Sequence, residues 1–196
     1  AVDLGCGVGT WLKTIQDITG GCSVLGMDGE YVNQNYLVIK QKEFMAVDLE
    51  EKITVSEKFD IAISLEVAEH LNEKRAEGFV RDITELSDVV LFSAAFPGQG
   101  GVGHINEQKV SYWIALFDKY GYEKFDIIRP LIYHNKSIPL WYRNNTMLYV
   151  NRNSDKINDR LLSKQQLLIS DIVLFDVFET YYEYLEQEIK SKSLKF

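Results

Sequence analysis

Apolar positions along the chain gather into short runs that close on a polar or acidic residue, with stretches of helical periodicity between them. The first run is cut by the start of the chain at Ala1-Val2 and carries Asp3. Further runs over Ser23 to Asp28, Phe44 to Leu49 and Phe59 to Leu65 read as strands; the last is apolar enough to be buried on both faces. Residues 73–87 predict a helix, because Ala76, Phe79, Val80, Ile83 and Leu86 recur every three or four positions. Asp88 to Phe96 predicts a fifth strand and residues 97–106 a long mobile loop leaving its carboxyl end. Residues 107–120 predict a helix with Val110, Trp113, Ile114 and Phe117 on one face and Gly121 as its stop; Tyr112 and Trp113 are expected in the core. Tyr122 to Ile128 and Asn145 to Val150 read as the sixth and seventh strands. From Ser154 onward there is no Gly or Pro, and Leu161, Leu168, Phe175, Tyr182 and Ile189 recur every seven residues, which predicts a long helix or a helix pair capped by Asn153 or Ser154. The chain thus divides into a domain over 1–153 and a helical extension over 154–196. Residues 169–178 are apolar all round and must pack on the sheet, on a further N-terminal segment or on a second copy of the chain, so a homodimer through this region is one expectation.

Chemistry enters between the first strand and the helix after it. Asp3 is followed by Gly5, Gly7 and Gly9 on alternate positions, and glycine lets a backbone turn sharply and approach a ligand without a Cβ in the way. A tight strand-to-helix turn with no ligand is the bland alternative. The dinucleotide spacing G-x-G-x-x-G requires a third glycine where Thr10 stands, and the phosphate-loop pattern is absent. About twenty residues on, Asp28 closes the second strand, where a carboxylate can accept both hydroxyls of a ribose. Asp48 closes the third strand, and Glu66, Glu69 and His70 follow the fourth, at the end of an open α/β sheet where ligands bind. Glu69 and His70 are equally well read as loop-to-helix packing.

The pattern Asp3-Leu4-Gly5-Cys6-Gly7-Val8-Gly9, with Asp28, Asp48 and Phe59 to Leu71, resembles the class I S-adenosylmethionine-dependent methyltransferases. The resemblance implies a doubly wound, seven-stranded, mostly parallel α/β sheet with an antiparallel last strand, the Rossmann-like methyltransferase fold. It implies S-adenosyl-L-methionine as cofactor and S-adenosyl-L-homocysteine as product. Gly5, Cys6, Gly7 and Gly9 would form the loop under the methionine part, with Asp3 near its amino group. Asp28, with Gly29, would hold the ribose, Asp48 the adenine amino group and Leu49 the adenine ring; Glu66 would complete the cofactor site. Related small-molecule methyltransferases generally carry helices ahead of the first strand, so an N-terminal segment is expected to be missing here. Residues 129–144 lie where insertions shape the acceptor pocket, and the stretch from Ile138 to Asn145 resembles methyltransferases of glycan and natural-product biosynthesis. Trp141 and Tyr142 there suit a sugar or aromatic acceptor, with only one of them facing inward if the segment is extended.

Composition narrows the partners. With 46% hydrophobic residues in 196, the chain can bury a sizeable core. A formal charge of -8 and no cluster of Lys and Arg disfavour nucleic acid or an anionic membrane. No apolar run reaches a membrane span and no signal-peptide pattern opens the chain, so a cytoplasmic location and a small-molecule acceptor are expected. Cys6 and Cys22 form no metal or redox spacing and read as small packing residues. The three histidines lie far apart in sequence, so no metal is expected. If the acceptor is a hydroxyl, His104 is the first choice for a general base and His70 the second. Two rival readings are a cofactor-binding module without catalysis and an NAD-dependent dehydrogenase; the glycine spacing and Asp48 speak against the latter.

Overall fold

The computed structural model describes residues 1–157, 159–163 and 171. Its strands are β1 (Val2–Leu4), β2 (Leu25–Asp28), β3 (Phe44–Ala46), β4 (Ala62–Leu65), β5 (Val89–Ser93), β6 (Tyr122–Phe125) and β7 (Met147–Asn151). They form one sheet in the order β3-β2-β1-β4-β5-β7-β6. Pairing is parallel from β3 through β5, and β7 runs antiparallel to both β5 and β6. The reversal between β1's two neighbours is the switch point of a doubly wound sheet, where the carboxyl ends of adjacent strands splay and leave a crevice.

The helices follow from periodicity and their caps. Helix α1 (Thr10–Thr19) starts at Gly9 and stops at Gly20, both in the left-handed region. Helix α2 (Glu73–Leu86) buries Ala76, Phe79, Val80 and Ile83, the stripe read from the sequence. Helix α3 (Val110–Lys119) buries Val110, Trp113 and Phe117, while Tyr112 packs partly buried against the same core. Burying a large side chain contributes about 1.5–3 kcal/mol, and Phe92, Trp113, Phe117 and Tyr149 form such a block; the Phe117 and Tyr149 rings stack 3.8 Å apart. A second, smaller cluster of Cys6, Leu12, Val24 and Ile39 seats α1 beside the first strands. Both cysteines are free, and burial pushes the Cys6 thiol up to about 12, as befits a packing residue.

Several strands end earlier than their apolar runs. After Ala46 the chain leaves the sheet, so Asp48 and Leu49 belong to a loop. Phe59 donates its amide to the Leu86 carbonyl at the end of α2 instead of joining β4. Residues 97–106 are a loop as expected, but a tethered one: the Gly98 and Gly100 amides both donate to the Glu107 carboxylate. Residues 129–144 hold two short helices joined by turns, not the extended segment considered above. Helix α4 (Arg129–Ile132) has Pro130 in its first turn and α5 (Leu140–Asn145) starts after Pro139, both positions where proline's fixed φ suits a helix start. Tyr142 consequently packs edge-on against Trp11 at 5.6 Å, and Trp141 stays exposed.

At the far end, Ser154 lies in a turn and the short helix α6 (Asp159–Leu162) begins five residues later, so neither Asn153 nor Ser154 caps it. The heptad positions Leu168, Phe175, Tyr182 and Ile189, the apolar stretch 169–178 and the homodimer expected from it lie outside the described residues. Among the described residues no helix is long and apolar enough to cross a membrane.

Candidate cofactor and acceptor site

At the carboxyl ends of β1, β2, β3 and β4 the loops enclose a cleft of about 800 Å³, lined by residues that include Gly5, Asp28, Gly29, Asp48, Leu49, Glu66, Val67 and His70. Of the glycine loop, Gly5 lines it. The Gly5 and Cys6 amides donate to the Met27 carbonyl, which folds the loop over the end of β2. Gly5 sits at φ +84, and a Cβ there would lie 2.3 Å from the Val67 side chain, so only glycine lets the two loops close on each other.

Asp28 organises the middle of the cleft. One carboxylate oxygen accepts the Gly7 amide at 2.7 Å; the other accepts the Gly29 amide at 2.7 Å and the Tyr31 hydroxyl at 2.5 Å. Asp48 caps its own turn through the Glu50 amide at 2.9 Å, with Leu49 buried beside it. That loop is clamped from behind by Arg75, whose guanidinium donates to the Leu49 and Glu51 carbonyls and to the buried Asp82 carboxylate.

Asp3 lies behind the loop, 1% exposed, and its Oδ2 has no hydrogen-bond partner among the described residues. Burial, reinforced by the Asp28 charge, raises its pKa to about 7. Cys6, Gly7 and Gly9 likewise support the loop without lining the cleft. A cradle closed by glycine, a cleft-lining carboxylate on β2 and a buried carboxylate oxygen without a partner among the described residues fit a ligand that carries a ribose and an ammonium group.

Glu66 ends β4 in the left-handed region at φ 57, a conformation that costs a non-glycine residue of order 1 kcal/mol or more and is held by its surroundings. Its amide donates to the Ser93 carbonyl, and its carboxylate accepts from Gln99 at 2.8 Å and Asn145 at 3.1 Å. Gln99 and Asn145 had no role in the sequence reading; nothing local marks them, since they reach Glu66 from the loop after β5 and from α5.

The two candidate bases separate in space. His70 stands on the cleft wall, with Nδ1 3.2 Å from the Gly103 carbonyl. His104 is absent from the lining; it sits behind His70, ring edge to face at 4.9 Å, with Nδ1 2.9 Å from Glu107. Glu107, three residues after His104, was a missed residue whose spacing was a usable signal. Glu69 lies in the 3₁₀ turn Ala68–His70, fully buried, with both carboxylate oxygens unbonded among the described residues. Sequence distance thus misled about the histidines: His70 and His104 are neighbours.

Residues 2–86 match the family model of a methyltransferase domain. No curated protein matches the chain in sequence. Among solved structures, LepI in complex with SAM shares 14% identity and a TM-score of 0.55 over 77% of this chain and 42% of that one. The match therefore spans less than half of LepI's length. The methyltransferase domain of bacterial CtHen1 shares 19% identity and a TM-score of 0.51 over 76% of this chain and 87% of that one. Magnesium protoporphyrin IX methyltransferase from Synechocystis PCC 6803, solved with bound SAM, shares 18% identity and a TM-score of 0.52 over 76% of this chain and 68% of that one. Residues 2–86 thus match the family model of a methyltransferase domain, and the seven-stranded sheet shares its fold with these solved structures.

Proposed function

We propose that the protein methylates a hydroxyl of a small-molecule acceptor, a sugar or natural product, and does so in the cytoplasm. The observation that carries this reading is the cleft itself, in which Asp28, Asp48 and Leu49 stand in strand order on one side and His70 stands on the other. S-adenosyl-L-methionine, when bound, supplies an electrophilic sulfonium methyl and leaves as S-adenosyl-L-homocysteine.

Asp28 accepts the ribose hydroxyls, Asp48 the adenine amino group, and Leu49 packs beside the ring. Asp3 faces the amino group through the glycine loop. The five carboxylates on the cleft wall, Asp28, Glu30, Asp48, Glu50 and Glu66, give it a field that favours a cationic ligand over its neutral product. His70 is positioned to take the acceptor proton. The Gly103 carbonyl only accepts, so it fixes the proton on Nδ1 and leaves the Nε2 lone pair free. With S-adenosyl-L-methionine held by these residues as the methyl source, His70 Nε2 would take the proton that the acceptor hydroxyl gives up. Alignment and exclusion of water supply most of the acceleration; in favourable cases they account for roughly 7–11 kcal/mol.

Calorimetric titration of S-adenosyl-L-homocysteine into the wild-type chain and into Asp28→Ala and Asp48→Ala variants tests the reading. Saturable one-to-one binding, weakened at least tenfold in both variants, supports it. No binding by a folded wild-type chain rejects it, and binding without methyl transfer to any of a panel of glycosides and phenols rejects the acceptor assignment.

A further inference from the structure

Behind the cleft wall lies a cluster that the cofactor site leaves unexplained. One ring nitrogen from each of His70 and His104 and a carboxylate oxygen of Glu69 lie within 4.8 Å of one another. The Glu69 carboxylate is fully buried, and neither oxygen has a hydrogen-bond partner among the described residues. Glu69 Oε1 stands 4.0 Å from His104 Nε2, beyond hydrogen-bonding range. A buried, unbonded carboxylate is costly unless something cationic faces it.

The two imidazoles are prepared in the same way. Nδ1 of His104 faces the Glu107 carboxylate at 2.9 Å and Nδ1 of His70 faces the Gly103 carbonyl at 3.2 Å. Oxygen acceptors at Nδ1 place the proton there and leave Nε2 as a lone-pair donor, the arrangement that orients metal-binding histidines. The segments carrying these groups are locked together by backbone bonds, because the Ile105 and Asn106 amides both donate to the Glu69 carbonyl. Gly101 completes the packing; a Cβ there would lie 2.3 Å from His104 Nε2.

The geometry points to a divalent transition-metal site formed by Glu69, His70 and His104, adjoining the cofactor cleft and holding the acceptor oxygen for methyl transfer. The second half rests on the function proposed above; the ion site itself does not. Two imidazoles and one carboxylate suit zinc, iron, cobalt or nickel better than magnesium or calcium, which prefer all-oxygen shells. A tetrahedral shell at about 2.1 Å spaces its ligand atoms about 3.4 Å apart, so small side-chain rotations close the cluster around an ion. Three protein ligands leave a position for a substrate oxygen. With the ion in place His70 Nε2 serves as a ligand, and the proton of the bound hydroxyl leaves to solvent water.

The test is titration of Co²⁺ into the chelator-treated full chain, followed by visible absorption and calorimetry, with homocysteine-product binding and thermal melting measured on the same samples. One-to-one binding with ligand-field bands, weakened tenfold or more in Glu69→Gln and His104→Gln, is the expected result. Equal Co²⁺ affinity in wild type and in variants that melt cooperatively overturns the site. If Glu69→Gln does not fold, the exposed His70→Ala decides in the same way. Co²⁺ bound without S-adenosyl-L-homocysteine binding leaves the site standing and rejects the proposed function; the converse rejects only the metal.

Discussion

Glu107 Oε1 accepts from His104 Nδ1 at 2.9 Å and from the Gly100 amide at 2.9 Å, while its Oε2 takes the Gly98 amide at 2.7 Å. One carboxylate therefore sets both the path of the loop and the tautomer of the histidine. In Glu107→Ala, amide hydrogen exchange over residues 98–104 is expected to quicken and Co²⁺ affinity to fall by about 10- to 100-fold, with product binding unchanged. Unaltered exchange would show that the glycines hold the loop by themselves.

On the proposed function, Asp3 is expected to make cofactor binding depend on pH. In the free chain its carboxyl, raised to about 7 by burial and by Asp28, is protonated below that pH. An ammonium group beside it favours the carboxylate, so binding below pH 7 releases a proton; affinity rises with pH by at most tenfold per unit and levels off above about 7. Calorimetry in buffers of different ionisation heat measures the released proton, and Asp3→Asn abolishes it. For folding the sign is opposite: the folded chain holds this proton while the unfolded chain loses it near 3.8, so Asp3's contribution to stability falls between about pH 4 and 7. Asp3→Asn removes that slope from the denaturation curves.

Tyr31 occupies the carboxylate that the proposed function assigns to the ribose. Its hydroxyl donates to Asp28 Oδ1 from a ring that is 83% exposed. Tyr31→Phe frees that oxygen and should tighten S-adenosyl-L-homocysteine binding by about two- to tenfold, the range of one ordinary hydrogen bond. Weaker binding would mean that the ring contacts the ligand directly.

Arg75 and Asp82 hold the Asp48–Leu49 loop from inside the domain. Their 2.6 Å pair is buried, and Asp82 also accepts the Ile53 amide at 2.9 Å. Asp82→Ala leaves a buried guanidinium unpaired and should cost about 3–5 kcal/mol in chemical denaturation. It should also loosen the Asp48–Leu49 loop, seen as weaker product binding in the fraction still folded.

The strands and the glycine turn were legible because they depend on local pattern: apolar runs, an acid at each run's end, and glycines where the backbone must turn. Strand ends were less so. The apolar run Phe44 to Leu49 continues past the point where β3 stops, since Val47 and Leu49 are apolar for packing against the core. The two short helices in 129–144 were signalled by Pro130 and Pro139, read as part of an insertion. Least legible was the Glu69–His70–His104 cluster, because sequence separation carries no distance until the loop after β5 folds back. Tyr31 on Asp28 and Asn145 on Glu66 share that character: each bond joins segments whose approach is set by the sheet.

The place of β7 between β5 and β6 bears on how the chain matures as it leaves the ribosome. Met147–Asn151 is the last of the described strands, yet it fills the interior of the sheet's antiparallel edge. Until it emerges, β5 offers an open strand edge and β6 has no neighbour to pair with. Chains stalled or cut before residue 147 thus expose two unpaired edges, a template for aggregation that the complete sheet conceals.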